Sequence, residues 1–444
     1  MPHPVIRHPL QWCLAFLCLL AITPAQADSY IFVTNSTNET VQVRTLHYGD
    51  DTLTEGSEWH QEATEIAPYA TARVLAFNRY EGLKSGKTYH FETQVTGQTS
   101  TVTLQQKMRG TWYGSTIEHS ATGSDFNAPW QDDRDIHRYD TNYDGLASRV
   151  GFKADYTGGY DDFYYTIRNR NQAEPQSGDD ALKVLTYNIW ALPMLASNIG
   201  DRLEEMPQVL QGYDVLLLQE AFASASEDLL QTLSSEYPYQ TEILDEPGFN
   251  LYNGGVVIVS RYPIAATDYL VFQDCTGTDC FADKGVVYAE VIRDGKAYHV
   301  TATHTASFDS DEARALRQQQ FQQIRGLIDA KDIPAFDAVM MGGDFNVNKL
   351  KFPGDYQQML ANLVASAPQS TGYSRSTYDP TVNQNADGEL SLGVEYLDYV
   401  VVSNTHRQPL QSRNDVRVPR SDSDDLWGIW DLSDHFPVLG DFQF

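Results

Sequence analysis

The chain has 444 residues, enough for a large core and more than one domain. Hydrophobic residues make up 41% and aromatics 12%, which excludes a disordered chain. A formal net charge of −29 excludes generic polyanion binding through a basic surface, while leaving room for a local basic groove.

Residues 1–27 read as a secretory signal. Arg7 and two His precede an apolar run from Trp12 to Ile22, and Ala25-Gln26-Ala27 follows as a small-residue cleavage pattern. The run is too short to cross a bilayer of ~30 Å hydrocarbon. An exported protein is therefore expected. Cys13 and Cys18 would leave with the signal. Cys275 and Cys280 stay, spaced C-x4-C in "DCTGTDCFADKG", and in an exported chain they predict one short-loop disulfide. No further Cys or nearby His completes a zinc site.

Residues 28–170 predict an all-β domain. "YIFVTNSTNETVQVRTLHYG", "TARVLAFNRY", "TYHFETQVTGQTSTVTLQQ", "TWYGSTIEHS" and "DDFYYTIRN" are β-branched and aromatic runs divided by Asn, Gly and Ser turns. A sandwich of about seven strands fits them. "DTNYDG" (140–145) imitates the start of a calcium loop. Gly151 stands where that loop needs Glu, so an Asp/Asn-rich turn is expected instead. "NRNQAEPQSGDD" is polar, carries Pro and Gly, and places a linker over residues 171–182.

From 183 to 444 the texture changes. Strand-like "KVLTYNIW", "DVLLLQEAF", "GGVVIVSRYPI", "VVYAEVIRDGKAYHVTATHTA", "AFDAVMMGGDFN" and "VEYLDYVVVS" alternate with helical "GDRLEEMPQVLQGY", "EDLLQTLSSEY" and "SDEARALRQQQFQQIRGLIDAK". That alternation, with some hairpins, predicts an α/β domain with mixed sheets.

Polar residues recur where these strands end. They are Asn188, Glu220, His304, Asp344 with Asn346, Asp398, and Asp434-His435. Each alone reads as readily as a turn residue or cap. So many together mark a site, since strand ends are where α/β sheets carry one. Their oxygen donors suit a hard cation such as Mg²⁺. A histidine beside a carboxylate suits general-base work near neutral pH. Together they fit attack of water on a phosphorus ester.

"TYNIW", "LLQE", "GGDFN", "LDYV" and "SDHFPV", in that order, resemble the endonuclease/exonuclease/phosphatase superfamily. Within it, "DKGVVYAEV", "GGDFNVNK", "STGYSRSTYDPTVN" and "EYLDYV" are similar to the secreted bacterial sphingomyelinases, over about residues 183–444. The resemblance implies a four-layer α/β sandwich with two mixed β-sheets, here preceded by a smaller all-β domain. It implies a Mg²⁺-dependent, toxin-like phosphodiesterase of membrane sphingomyelin; the oligomeric state is left open, a monomer being the expectation. It makes Glu220 the main metal ligand, with Asn188 beside it and Asp434 next to the cluster. Asp344 and Asn346 would line the phosphate site. His435 would be the general base, Asp398 would hold its other ring nitrogen, and His304 would touch the phosphate or the leaving oxygen. One departure stands out: Thr305-Ala306-Ser307 replaces the family's usual Leu-Gln-Ala.

Trp427, Ile429 and Trp430 lie just before Asp434-His435. Related sphingomyelinases carry exposed aromatics there and use them to sit on membranes, so these three are expected at an exposed, membrane-binding tip, with Gly428 allowing a tight turn. The competing expectation is that both Trp pack into the core. Two other functions compete. A nuclease is disfavoured because residues 178–444 carry 17 Lys and Arg against 39 Asp and Glu, and DNA is gripped through basic side chains. An inactive lipid-binding module is disfavoured by the intact set of site residues.

Overall fold

In the computed structural model, residues 28–444 are described, except 158–159, 247, 249 and 387–392. The expected signal segment, with Cys13 and Cys18, lies outside the described residues.

Residues 28–169 form two β-sheets, of six and five strands, around one apolar cluster. Alternation explains the arrangement. In Thr88–Thr96, Tyr89, Phe91, Thr93 and Val95 are buried, while their neighbours are only partly covered. The strands are more numerous than the runs suggested, because short ones such as Trp59–Gln61 and Glu65–Ile66 carry too few residues to show a period. The Asp/Asn-rich stretch at 140–145 is a hairpin between strands His137–Tyr143 and Leu146–Tyr156. Asp144 and Gly145 turn it with φ of 52° and 82°, the paired left-handed turn that Asp-Gly favours.

The next strand, Ala181–Asn188, begins inside the stretch expected to be linker. It sits centrally in a seven-stranded mixed sheet, parallel to Val215–Gln219 and antiparallel to Val438–Gln443. A second, six-stranded mixed sheet places Lys296–His304 parallel to Ala338–Asp344, with Asp398–Ser403 antiparallel beside the latter. The two sheets pack face to face through Val184, Leu217, Val287, Val300, Met340 and Val400, all at most 3% exposed. Helices Ile199–Val209 and Ala225–Leu233 cover the outer face of the first sheet. Helices Asp311–Asp329 and Pro353–Leu363 cover the second. This is the four-layer α/β sandwich, with an all-β region before it. Strands buried on both faces read as continuous apolar runs such as "VLLLQ".

The aromatic segment differs from the expected tip. Trp430 is 6% exposed, while Trp427 and Ile429 are half-buried. Trp427 lies against Gly151 of the β region, where a Cβ would meet its ring at 3.1 Å, and it packs edge-on against Trp430. Gly428 does turn the chain, with φ 88°. Trp427 meets another part of the same chain, which a local reading of apolar residues does not reveal, while Gly428 at the turn is exposed.

Candidate active site

Four strand ends, two from each sheet, converge. Asn188 ends one strand, and Glu220 follows the next with φ 57°, in the left-handed region that Glu rarely adopts. His304 and Asp344 are paired in register at the ends of two parallel strands of the other sheet. Asp344 in turn faces Asp398 across an antiparallel pair. The Ser433-Asp434-His435 turn enters just before Val438–Gln443.

Asn188 holds the centre. Its Nδ2 donates to Glu220 Oε1 (2.9 Å) and Asp344 Oδ2 (3.2 Å), while its backbone carbonyl accepts from Ser433 Oγ (2.6 Å). His435 Nδ1 lies 2.9 Å from Asp398 Oδ2, and its Nε2 faces Asp344 Oδ2 at 3.8 Å. His304 Nε2 stands 3.5 Å from the same Asp344 oxygen. Asn346, at φ 50°, lines the pocket and donates to the Thr305 carbonyl. The structure thus brings together Asn188, Glu220, His304, Asp344, Asn346, Asp398, Asp434 and His435.

Burial and charge set their protonation. Burial would lower the His435 pKa, but Asp398, Asp344 and Asp434 outweigh it and hold the imidazole well above its ordinary value. Burial raises the Asp398 carboxyl to about 6, against the pull of His435. It raises Asp434 to about 7, with Glu220 adding to the shift. Burial and the nearby Lys284 ammonium push His304 down to about 3.

Side chains not singled out from the sequence complete the site. Lys284 Nζ meets His304 Nε2 (3.1 Å), the Thr305 carbonyl (3.0 Å) and Ser307 Oγ (2.7 Å), and pairs with Asp279 at 2.8 Å. Asp279 also accepts from the Ser307 backbone N–H. The departure at Thr305-Ala306-Ser307 is therefore absorbed into a lysine–aspartate network. Asp279 sits in a short 3₁₀ turn whose Cys280 is disulfide-bonded to Cys275. Phe308, Tyr378 and Glu395 line the pocket mouth, and the Tyr378 ring meets His435 edge-on at 5.4 Å. "DKG" carried the only sequence signal for Lys284.

The donor set fits a hard divalent cation. Glu220 Oε2 is buried without a hydrogen-bond partner, Asp344 adds to the raised proton affinity of Glu220, and Glu220 adds to that of Asp434. Such a crowd of carboxylate oxygens suits Mg²⁺-like ions. Asp344, Asp398 and His435 also lie within ligating reach of one another. The short Asp398–His435 contact, however, makes those two a hydrogen-bonded pair first.

Two mixed sheets with carboxylates, an Asn and two His at their shared edge define a phosphoesterase. The chain belongs to the endonuclease/exonuclease/phosphatase family, whose profile matches residues 185–435. It is 34% identical over 316 residues to the sphingomyelinase C of Listeria ivanovii, covering 63% of this chain and 92% of that one. The crystal structure of sphingomyelinase C from Streptomyces griseocarneus aligns with a TM-score of 0.54 at 32% identity, over 59% of this chain and 99% of that one. A Staphylococcus aureus beta toxin variant with bound magnesium ions aligns at 0.53 and 30%, over 59% and 99%.

Proposed function

We propose that this protein is an exported Mg²⁺-dependent sphingomyelin phosphodiesterase that releases phosphocholine and leaves ceramide. The observation that carries the reading is His435, fixed at Nδ1 by Asp398 and facing Asp344 through Nε2, beside the unpaired Glu220 oxygen. The sphingomyelinase relatives support the substrate class.

In this reading His435 Nε2 accepts the proton of the attacking water, and Asp398 holds the ring and stabilises its cation. Asn188 orients Glu220 and Asp344 through its amide. Glu220 would hold the metal, with Asn188 and Asp434 beside it. When bound, the metal offsets phosphoryl charge and the field of the carboxylates on His435. Asn346 faces the phosphoryl oxygens, and His304, kept neutral, accepts at Nε2 from the Lys284 ammonium and holds that charge at the phosphoryl site. Phe308 and Tyr378 present aromatic faces to a quaternary ammonium head. Membrane contact is carried by apolar groups at this mouth, with Phe308 47% exposed, and not by the buried Trp430.

Phosphocholine release from sphingomyelin vesicles, measured with Mg²⁺ and with EDTA beside a plasmid-nicking assay, tests the proposal. Mg²⁺-dependent release supports it. Plasmid nicking without phosphocholine release overturns it in favour of a nuclease.

A further inference from the structure

Among the contacts between the β region and the catalytic sheets is a buried arginine, Arg420. Arg420 is 3% exposed and reaches four partners. Its Nη1 donates to Ser36 Oγ (2.8 Å) and its Nη2 to the Tyr69 carbonyl (2.7 Å), both in the β region. Nη2 also donates to the Val382 carbonyl (2.9 Å), and Nε meets Asp431 Oδ1 at 3.2 Å. Asp431 is 1% exposed.

Those last two partners begin the segments that hold the catalytic turn. Asn383, next to Val382, donates to the Ser433 carbonyl (2.9 Å), and Asn385 donates to the Asp431 carbonyl (2.6 Å). Ser433 Oγ then accepts from the His435 backbone N–H (3.2 Å). His435 follows Asp431 by four positions. A guanidinium is rigid and offers several donors in one plane, so it fixes all four acceptors relative to each other. Other interdomain ion pairs lack this reach: Asp422 pairs with Arg138, Arg149 and Arg168 of the β region alone.

We propose that Arg420 is a positioning residue, and that through it the N-terminal β domain orients the Asp434-His435 turn. The β domain is then a working part of the catalytic unit rather than an appendage. The inference rests on the role given to His435 above.

The test uses the full chain. Arg420→Met alone leaves Asp431 as a buried, unpaired charge and can fail to fold. Arg420→Met with Asp431→Asn removes both charges. Turnover of a soluble nitrophenyl ester of phosphocholine is measured well below the melting temperature, together with amide hydrogen exchange. In the double variant kcat falls on the order of 10- to 100-fold, as expected for a misplaced catalytic group, while KM stays within about twofold. Exchange accelerates at 431–436 and stays slow in the strands of both domains. Arg420→Lys, keeping one cation, recovers part of kcat, and Asp422→Asn keeps wild-type kcat. The proposal is overturned by a folded double variant with kcat within about twofold of wild type, by exchange that rises evenly through both domains, or by equal losses in Asp422→Asn. Failure of the phosphodiesterase reading is distinct: it shows as an inactive wild type, and the exchange measurement needs no turnover.

Discussion

The Asp398 carboxylate meets His435 Nδ1 at 2.9 Å although the two lie 37 residues apart, one opening a strand and the other in a turn. The contact leaves Nε2 pointing at Asp344 and the pocket. His435→Ala is expected to stay folded and lose about 10²–10⁴-fold in kcat, as a missing general base does. Asp398→Asn should lose less, because the ring is still held by a hydrogen bond but its cation is no longer stabilised. Steady-state kinetics on sphingomyelin vesicles, with circular dichroism as the folding control, checks both.

Glu220→Gln keeps the shape and removes the charge from the oxygen that has no partner. A carboxamide is a poor match for a hard cation. The Mg²⁺ concentration giving half-maximal activity should rise, and an unmoved value would take Glu220 out of the ligand set.

The metal-free protein should weaken as pH rises. His435 has its pKa raised in the fold, so the stability it contributes is full below about 6.5 and is lost as pH climbs through its folded value. Asp434, raised to about 7, binds a proton when folded that the unfolded chain has released, which has the same sign. His304, lowered to about 3, acts oppositely but only below its unfolded pKa. Denaturant unfolding in EDTA should therefore give decreasing stability from about pH 6.5 to 8, and saturating Mg²⁺ should flatten that slope.

Lys284→Met removes the cation shared by His304, Ser307 and Asp279. Asp279 is then a mostly buried carboxylate without its ion pair, a change that typically costs about 3–5 kcal/mol. The melting temperature should fall, and restoring it with Lys284→Met plus Asp279→Asn would show that the unpaired charge, not lost packing, is responsible.

Reduction of Cys275–Cys280 frees the turn that carries Asp279. The closed loop is short, so the loss should be modest, on the order of a few kcal/mol at most. Intact-mass analysis of the protein alkylated without reductant should find neither Cys275 nor Cys280 as a free thiol.

The convergence of the site residues is legible because they end apolar strands. Asp344 after "AVMMGG" and His304 after "HVTAT" stand out against a two-sided buried strand, whatever their distant partners. Lys284 was not legible as a site residue, since its role depends on Asp279 and Ser307 arriving from other segments. The helix Pro353–Leu363 has Pro at its first position as a start signal, but its polar, short run shows little period. The burial of Trp430 is illegible for a different reason. An apolar run looks the same whether it faces solvent or another domain, and Gly151 and Arg138 of the β region, which meet Trp427, are distant in sequence.

The left-handed backbone at Glu220 has an evolutionary consequence. A non-glycine residue held there costs roughly 1–2 kcal/mol, which glycine would relieve. The fold alone therefore favours glycine at 220, and the carboxylate of the proposed metal site would be what opposes it. In descendants released from catalysis this codon should be among the first to drift, while the neighbouring apolar strand stays intact. Residue 220 thus tells a working lineage from one that has kept only the shape.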